Sequence, residues 1–396
     1  MTAAKDDARG SGTMALHGVR VLDLTQMIAG PYCTRLFALY GAQVIKLERP
    51  RVGDRARRIG ATAESTENLE PSATFLYLNT SKKSVTLNLK SAQGMEIFMR
   101  LICDTDVVVE NFRPGVMRRL GISYEALDAI NNKLVMVSIS NFGQTGPYRD
   151  YDATEMNLQA WGGLMHMAGE RGREPLRLGY AAAQYEAGQN AFAASMAALL
   201  ARPTMGGQHV DIAIMDTVMT SLNSAHAHYS YNQEVQGRRP AGGGKGTDRF
   251  KASDGYVIAR PPRNAVELER LSKVVGESLP VDDPDAVSVV FARWVAARTK
   301  EEVMAAGQKA QFAWGALNST QEIMQSAQIR EREFFQSVDH PVAGTLPYAG
   351  APFRMGASGT TVTAAPTLGQ HTHDILCGSL GYTDDQVRHW AHEGVV

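Results

Sequence analysis

Three cysteines in 396 residues, with no CxxC pair among them, leave no framework for a disulfide-built fold or a paired-thiolate zinc site. Cys33, Cys103 and Cys377 each read as a small buried hydrophobe in a chain suited to a reducing cytosol. An excess of either charge is also lacking. The 40 Lys and Arg stand against 41 Asp and Glu, so net charge gives no reason to propose a nucleic acid or a membrane surface as partner. No apolar run reaches the roughly 18 residues that span a bilayer, and the opening MTAAKDDARGSGT is polar rather than signal-like, so residues 1–15 are expected to be disordered. Internal repeats and low-complexity tracts are absent too. With 44% hydrophobic residues the chain has enough apolar material for two cores.

What is present is led by residues 18–58, GVRVLDLTQMIAGPYCTRLFALYGAQVIKLERPRVGDRARR. Val19 and Val21 alternate with Leu22 and Leu24 as in a short strand buried on both faces. Gly30, read as tolerating unusual dihedrals, and Pro31, suited to a first helical turn, open a helix with a wide apolar face that Gly41 closes. Residues 44–47 form the return strand. A β-α-β unit of this kind presents its ligand crevice at the carboxyl ends of its strands. Residues 26–30 arrive there together with Lys46, Arg49, Arg51, Arg55, Arg57 and Arg58, a cationic cluster that suits a phosphate-bearing guest and also fits a solvated basic loop.

Further strands are expected at residues 84–89, 107–110, 135–140 and 208–212, with helices at 92–102, 152–168 and 185–201 and a long helical pattern over 215–233. This alternation indicates an α/β fold with a mostly parallel sheet. The glycine-rich RRPAGGGKGTDR marks a boundary, after which a smaller α+β domain is expected. The division is therefore residues 16–233 and 320–396 for a large α/β domain made from both ends of the chain, and 234–319 for the linker loop and small domain.

Several chemistries fail on spacing. His371 and His373 are two apart, which does not align them on a helix face, and no acidic residue stands at i+4, so no metal is expected. GGGKG at residues 242–246 lacks the GxxxxGK[ST] spacing and a preceding strand, and reads better as a glycine lid than as a nucleoside-triphosphate loop. No GxSxG elbow exists. The strand ends themselves bring Gln26, Met27, Arg49, Lys90, Asn111, Phe112 and Arg119 together: cations, one aromatic and aliphatic walls. A ligand with phosphates, a base and a long apolar arm uses such a mixture, and coenzyme A has that make-up. Phe112 and Met27 read equally as core, and Arg119 as a solvated surface group.

Taken in order, VRVLDLTQMIAGPYCTRLFALYGAQVIKLERP, LNTSKKSVTLNLK, VVVENFRPGVMRRLG, SISNFGQTGPYRD, GGQHVDIAIMD, FFQSVDHPVAGTLPYAGAPFR and LGQHTHDILCGSLGY resemble the class III CoA-transferase family, which includes formyl-CoA transferase, carnitine CoA-transferases and α-methylacyl-CoA racemase. The likeness runs from Leu16 to Val396. It implies two subunits threaded through each other as linked rings. It also implies CoA contacts at Gln26, Met27, Arg49, Leu87, Lys90, Asn111, Phe112, Arg119 and Leu120.

At the catalytic position the chain departs from the pattern. The family's nucleophilic aspartate lies five residues after a glycine in the segment written here GYAAAQYEAG, and counting from Gly179 that position is Gln184. An amide carries no charge and its lone pair is delocalised, so it does not replace a carboxylate nucleophile. The racemase His-Asp pair falls on Thr154 and Glu155, which removes the imidazole base; Glu155 matches the glutamate that transferases carry there. Three readings follow. The chain is a non-catalytic, CoA-binding subunit whose paralogous partner brings the aspartate, resembling the paired benzylsuccinate CoA-transferases. Or it is an active homodimeric transferase using Glu186 or Glu155 to move CoA from a donor such as succinyl-CoA to a carboxylic acid. Or it is a CoA-thioester isomerase or lyase needing no acyl-enzyme.

Overall fold

A computed structural model describes residues 14–60, 70, 72–222, 224–238, 248–260, 262, 264–280 and 283–396. The polar opening (residues 1–13) and the GGGKG loop lie outside the described residues. The alternating strands form one sheet: β1 (Arg20–Asp23), β2 (Gln43–Glu48), β3 (Lys83–Thr86), β4 (Val107–Glu110), β5 (Val135–Ser140) and β6 (Gln208–Ala213). Their order is β3-β2-β1-β4-β5-β6, and every neighbouring pair is parallel. The chain thus winds outward from β1 to β3, returns to the centre, and winds outward again through β4 to β6. Strands β4 and β5 are buried along their whole length, as expected of parallel strands covered on both faces.

Alternation divides the core. Val107, Val109 and Val137 face the helices Ala29–Leu39 and Ala182–Met205, packing with Phe37, Ala187 and Ala191. Val108 and Met136 face the opposite side with Phe98 of the helix Ala92–Ile102 and with Ile375, Leu376 and Trp390 from the end of the chain. The two long helices of the first face approach closely where Gly188 meets the first: a Cβ on Gly188 would lie 2.6 Å from the Ala29 carbonyl oxygen. Gly30 is needed for the same reason rather than for its dihedrals. It lies inside the helix, and a Cβ there would stand 2.3 Å from the Thr25 side chain.

Two compact units are delimited by their internal contacts: the described residues of 1–168, 176–236 and 333–396, and those of 169–175 and 237–332. The second holds a three-stranded antiparallel sheet (Asp248–Ala252, Gly255–Ala259, Gly315–Ala316) with the helices Ala265–Val275, Pro284–Ala296 and Lys300–Lys309 around Phe291 and Trp314. Several expected helices are broken. Residues 152–168 give Glu155–Trp161 and Leu164–Met167, separated at Gly163, whose φ of +82° ends a right-handed helix. Residues 215–233 give Ile214–Thr220 and Ala225–Asn232, and the latter buries none of its residues. Near the end of the chain, residues 374–379 form a π-helical turn, Asp374–Ser379. Of the cysteines only Cys33 is buried; Cys103 is exposed and Cys377 half-exposed.

Candidate functional site

The sheet changes direction between β1 and β4, and the segments leaving those two strands are tied together. The Asn111 side chain accepts from the Gln26 N–H at 2.9 Å and donates to the Gln26 carbonyl at 2.7 Å. Met27 follows with a φ of +72°, a conformation that costs a non-glycine residue about 1 kcal/mol or more. Its N–H donates to Asp54 Oδ1 at 3.0 Å, and Asp54 is fixed in turn by Lys46 at 2.8 Å and the Ala56 N–H at 2.8 Å.

Beneath this corner lies a buried ionic lattice. Asp23 accepts from the Thr34 hydroxyl at 2.7 Å and pairs with Lys82 at 3.0 Å, while Lys46 also donates to the Thr25 carbonyl at 2.8 Å. Burial alone would raise the Asp23 carboxyl, but Lys46, Lys82 and the Thr25 and Thr34 hydroxyls together hold it far below its usual range. Lys82 is pulled down to about 8 by burial, with Asp23 opposing. These contacts correct the cationic-crevice expectation. Lys46 is consumed by Asp54 and Asp23, and Arg57, buried over the Phe75 ring, holds Glu48 at 2.8 Å and Glu70 at 2.7 Å. Neither is free for phosphate.

Arg49, Lys90 and Arg119 are different: each is exposed and makes no ion pair with the described residues. Arg49 follows β2, Lys90 lies beyond the end of β3, and Arg119 ends the short helix Val116–Arg119 after β4, so all three follow the carboxyl ends of strands of one parallel sheet. Leu87 is a core residue, 2% exposed, whose N–H donates to the Glu48 carbonyl; Phe112 and Leu120 are half-buried against the same core. The Phe112 N–H donates to Glu110 at 2.7 Å. Glu110, invisible as a site residue in the sequence, is buried at the end of β4, and that burial, with Asp211 nearby, pushes its carboxyl up to about 7.

The position expected to carry the nucleophile is the third residue of the helix Ala182–Met205. Gln184 lies one turn before Gly188 on the same helical face, the face that meets Ala29 just after the Gln26–Met27 corner. Ala181, at the N-cap, supplies no side-chain oxygen to the helix's free N–H groups. Glu155 does so from another helix: its carboxylate accepts from Ala183 N at 2.8 Å, Gln184 N at 3.2 Å and Gln159 Nε2 at 2.7 Å. The buried Gln159 also accepts from the Leu178 N–H at 2.9 Å. Its i+4 spacing from Glu155 was the one signal in the sequence for this clasp. Glu186 is not brought to this place. Two residues along a helix rotate a side chain by about 200°, and Glu186 accepts instead from the Ser221 hydroxyl.

A parallel sheet wound in two halves, with pinned strand ends and unpaired cations along its carboxyl side, defines a doubly wound α/β protein whose natural ligand place is the switch point. The chain belongs to CoA-transferase family III, which it matches over residues 16–372. It is 33% identical to formyl-CoA:oxalate CoA-transferase of Streptomyces avermitilis over 97% of this chain and 100% of that one. With succinyl-CoA:glutarate CoA-transferase of Mus musculus it shares 30% identity over 96% of this chain and 90% of that one. The crystal structure of a CAIB/BAIF family protein from Brucella suis superposes with a TM-score of 0.82 at 27% identity, covering 92% of this chain and 99% of the other.

Proposed function

We propose that this chain is the CoA-binding subunit of a class III CoA-transferase that moves CoA from an acyl-CoA donor to a carboxylic acid, and that a paralogous subunit supplies the catalytic aspartate. The observation that carries this reading is the amide of Gln184 at the start of the helix Ala182–Met205, beside an otherwise furnished strand-end corner. On the partner, the aspartate carboxylate attacks the thioester carbonyl, the C–S bond breaks and CoA leaves as thiolate, giving a mixed anhydride; the thiolate then attacks the aspartyl carbonyl, the anhydride C–O bond breaks and the donor leaves as its carboxylate, giving the aspartyl-CoA thioester, and the acceptor carboxylate repeats the two steps in reverse to leave as acyl-CoA and free the aspartate. This chain contributes Gln26, Met27, Arg49, Leu87, Lys90, Asn111, Phe112, Arg119 and Leu120 to holding CoA.

Linked-ring assembly with the paralogue is part of the reading. It is supported by unpartnered apolar surface: Trp161 is 49% exposed in a cluster with Tyr148 and Tyr151, and Tyr231 is 89% exposed on the unburied helix Ala225–Asn232.

The active-homodimer reading is favoured at one residue only, Glu155, whose carboxylate touches the Gln184 N–H. To attack a thioester it would have to release the helix terminus it caps. The test is steady-state transfer by the isolated chain, by the chain co-expressed with its paralogue, and by Gln184→Asp. No turnover alone and turnover with the partner are expected. Robust turnover by the isolated wild-type chain, about 1–1000 per second, abolished in Glu155→Gln, would overturn the subunit assignment; thioester consumption without an acid acceptor would place the chain with the isomerases or lyases.

A further inference from the structure

The spacing of His371 and His373 argues against a metal, and the fold confirms that these two do not act together: His371 Nδ1 accepts from the Ser84 N–H at 3.2 Å. His373 has other company. Its Nε2 lies 2.8 Å from Asp384 Oδ1, and Cys377 Sγ lies 3.5 Å from the same oxygen. One donor atom from each of the three residues falls within 4.8 Å of the other two.

Tetrahedral zinc, at about 2.0–2.3 Å from nitrogen, oxygen and sulfur ligands, needs its donors about 3.4–3.7 Å apart. The chain therefore holds an imidazole, a thiol and a carboxylate at nearly the separation a single ion requires.

The backbone explains why residues seven and four apart converge. The π-helical turn Asp374–Ser379 begins just after His373 and carries Cys377 four residues on, and Thr383 caps the helix Asp384–Glu393 so that Asp384 is its first residue. The positive end of that helix favours the ionised carboxylate. Both elements are anchored from below by Ile375, Leu376, Val387 and Trp390 in the core, so the donors stand on rigid ground. A second carboxylate, Asp374, lies 4.0 Å from His373 Nδ1, on the ring nitrogen that faces away from Asp384. Metal-bound imidazoles are commonly oriented by a carboxylate on that side.

We propose that this corner binds one divalent transition ion of the zinc type through His373 Nε2, Cys377 Sγ and the Asp384 carboxylate. The Cys377 thiol gives up its proton to solvent as the S–metal bond forms, and the exposed fourth position takes water. The ion clips the end of the chain and takes no part in acyl transfer, so this site stands or falls independently of the assignment above.

The experiment is a cobalt(II) titration of the full chain, followed by the near-ultraviolet thiolate-to-cobalt charge-transfer band, with zinc competition and zinc calorimetry. One ion per chain and a band displaced by zinc are expected. Cys377→Ser should abolish the band and weaken zinc at least tenfold, and His373→Ala should weaken zinc similarly. Cys103→Ser should leave both unchanged. Absence of the band in the wild-type chain, or its survival in Cys377→Ser, would overturn the proposal. His373 is 61% exposed, so His373→Ala tests the site without disturbing the core should Cys377→Ser fold poorly.

Discussion

At the scale of the residue, the free cations at the strand ends separate from the spent ones. Charge-assisted contacts to phosphate are worth about 1.5–3 kcal/mol, so Lys90→Ala should weaken CoA binding roughly tenfold or more by calorimetry. Lys46→Met should act on stability instead. Removing it leaves Asp54 without its buried cation and Asp23 with Lys82 alone, a loss of about 3–5 kcal/mol that urea denaturation would register. Lys46, Arg49 and Arg57 read as one basic cluster because charge is legible in a sequence, whereas which carboxylate meets which cation is set by the fold: Asp54 and Asp23 take Lys46, and Glu48 and Glu70 take Arg57. Glu110 makes the same point. Nothing around it in VVVENF distinguishes it, and its character comes from burial beside β5 and β6. Its carboxyl pKa in the fold, about 7, lies above the ordinary 4.5, so the fold favours the protonated form. That contribution is complete below about pH 4.5 and is lost as pH rises through 7. Glu110→Gln, which keeps an acceptor for the Phe112 N–H, should match the wild type near pH 4. It should exceed the wild type in stability above pH 7, by an amount on the order of 2–3 kcal/mol in urea melts.

At the scale of the element, the helix Ala182–Met205 is legible from its composition, yet its first turn is not. The apolar pattern suggests a start near Tyr185, three residues late, because the cap comes from Glu155 rather than from a neighbouring Ser, Thr or Asp. Removing a capping side chain costs about 0.5–2 kcal/mol, and Glu155→Ala also takes away the carboxylate that accepts from the Gln159 amide. Its urea midpoint should fall accordingly, whereas Glu186→Ala, which loses a contact to the exposed Ser221 hydroxyl, should change little. Five of the six strands, by contrast, are readable to within a residue at each end, whereas the one expected over residues 84–89 ends at Thr86. Short runs such as VVVE and VMVSIS are apolar on both faces and bounded by turns, so tertiary context has little to override.

At the scale of the whole molecule, no helix among the described residues is long and apolar enough to cross a membrane. The unburied helix Ala225–Asn232 and the exposed aromatic cluster around Trp161 lead to a different expectation. Were they covered by a second chain, thermal unfolding should shift upward as protein concentration rises, and a concentration-independent midpoint would count against the linked-ring assembly.

The path of the chain has one more consequence. The Asn88 N–H, two residues before Lys90, donates to the carbonyl of Val395, the second-last residue, and Ile375 and Trp390 complete the core beneath β3 and β4. A ribosome adding about 5–20 residues per second needs about 15–60 s to pass from Asn88 to Val395. Throughout that interval the sheet lacks the strip that seals one of its faces. The face of the sheet beneath β3 and β4 is therefore sealed late, by segments made long after the strands they cover.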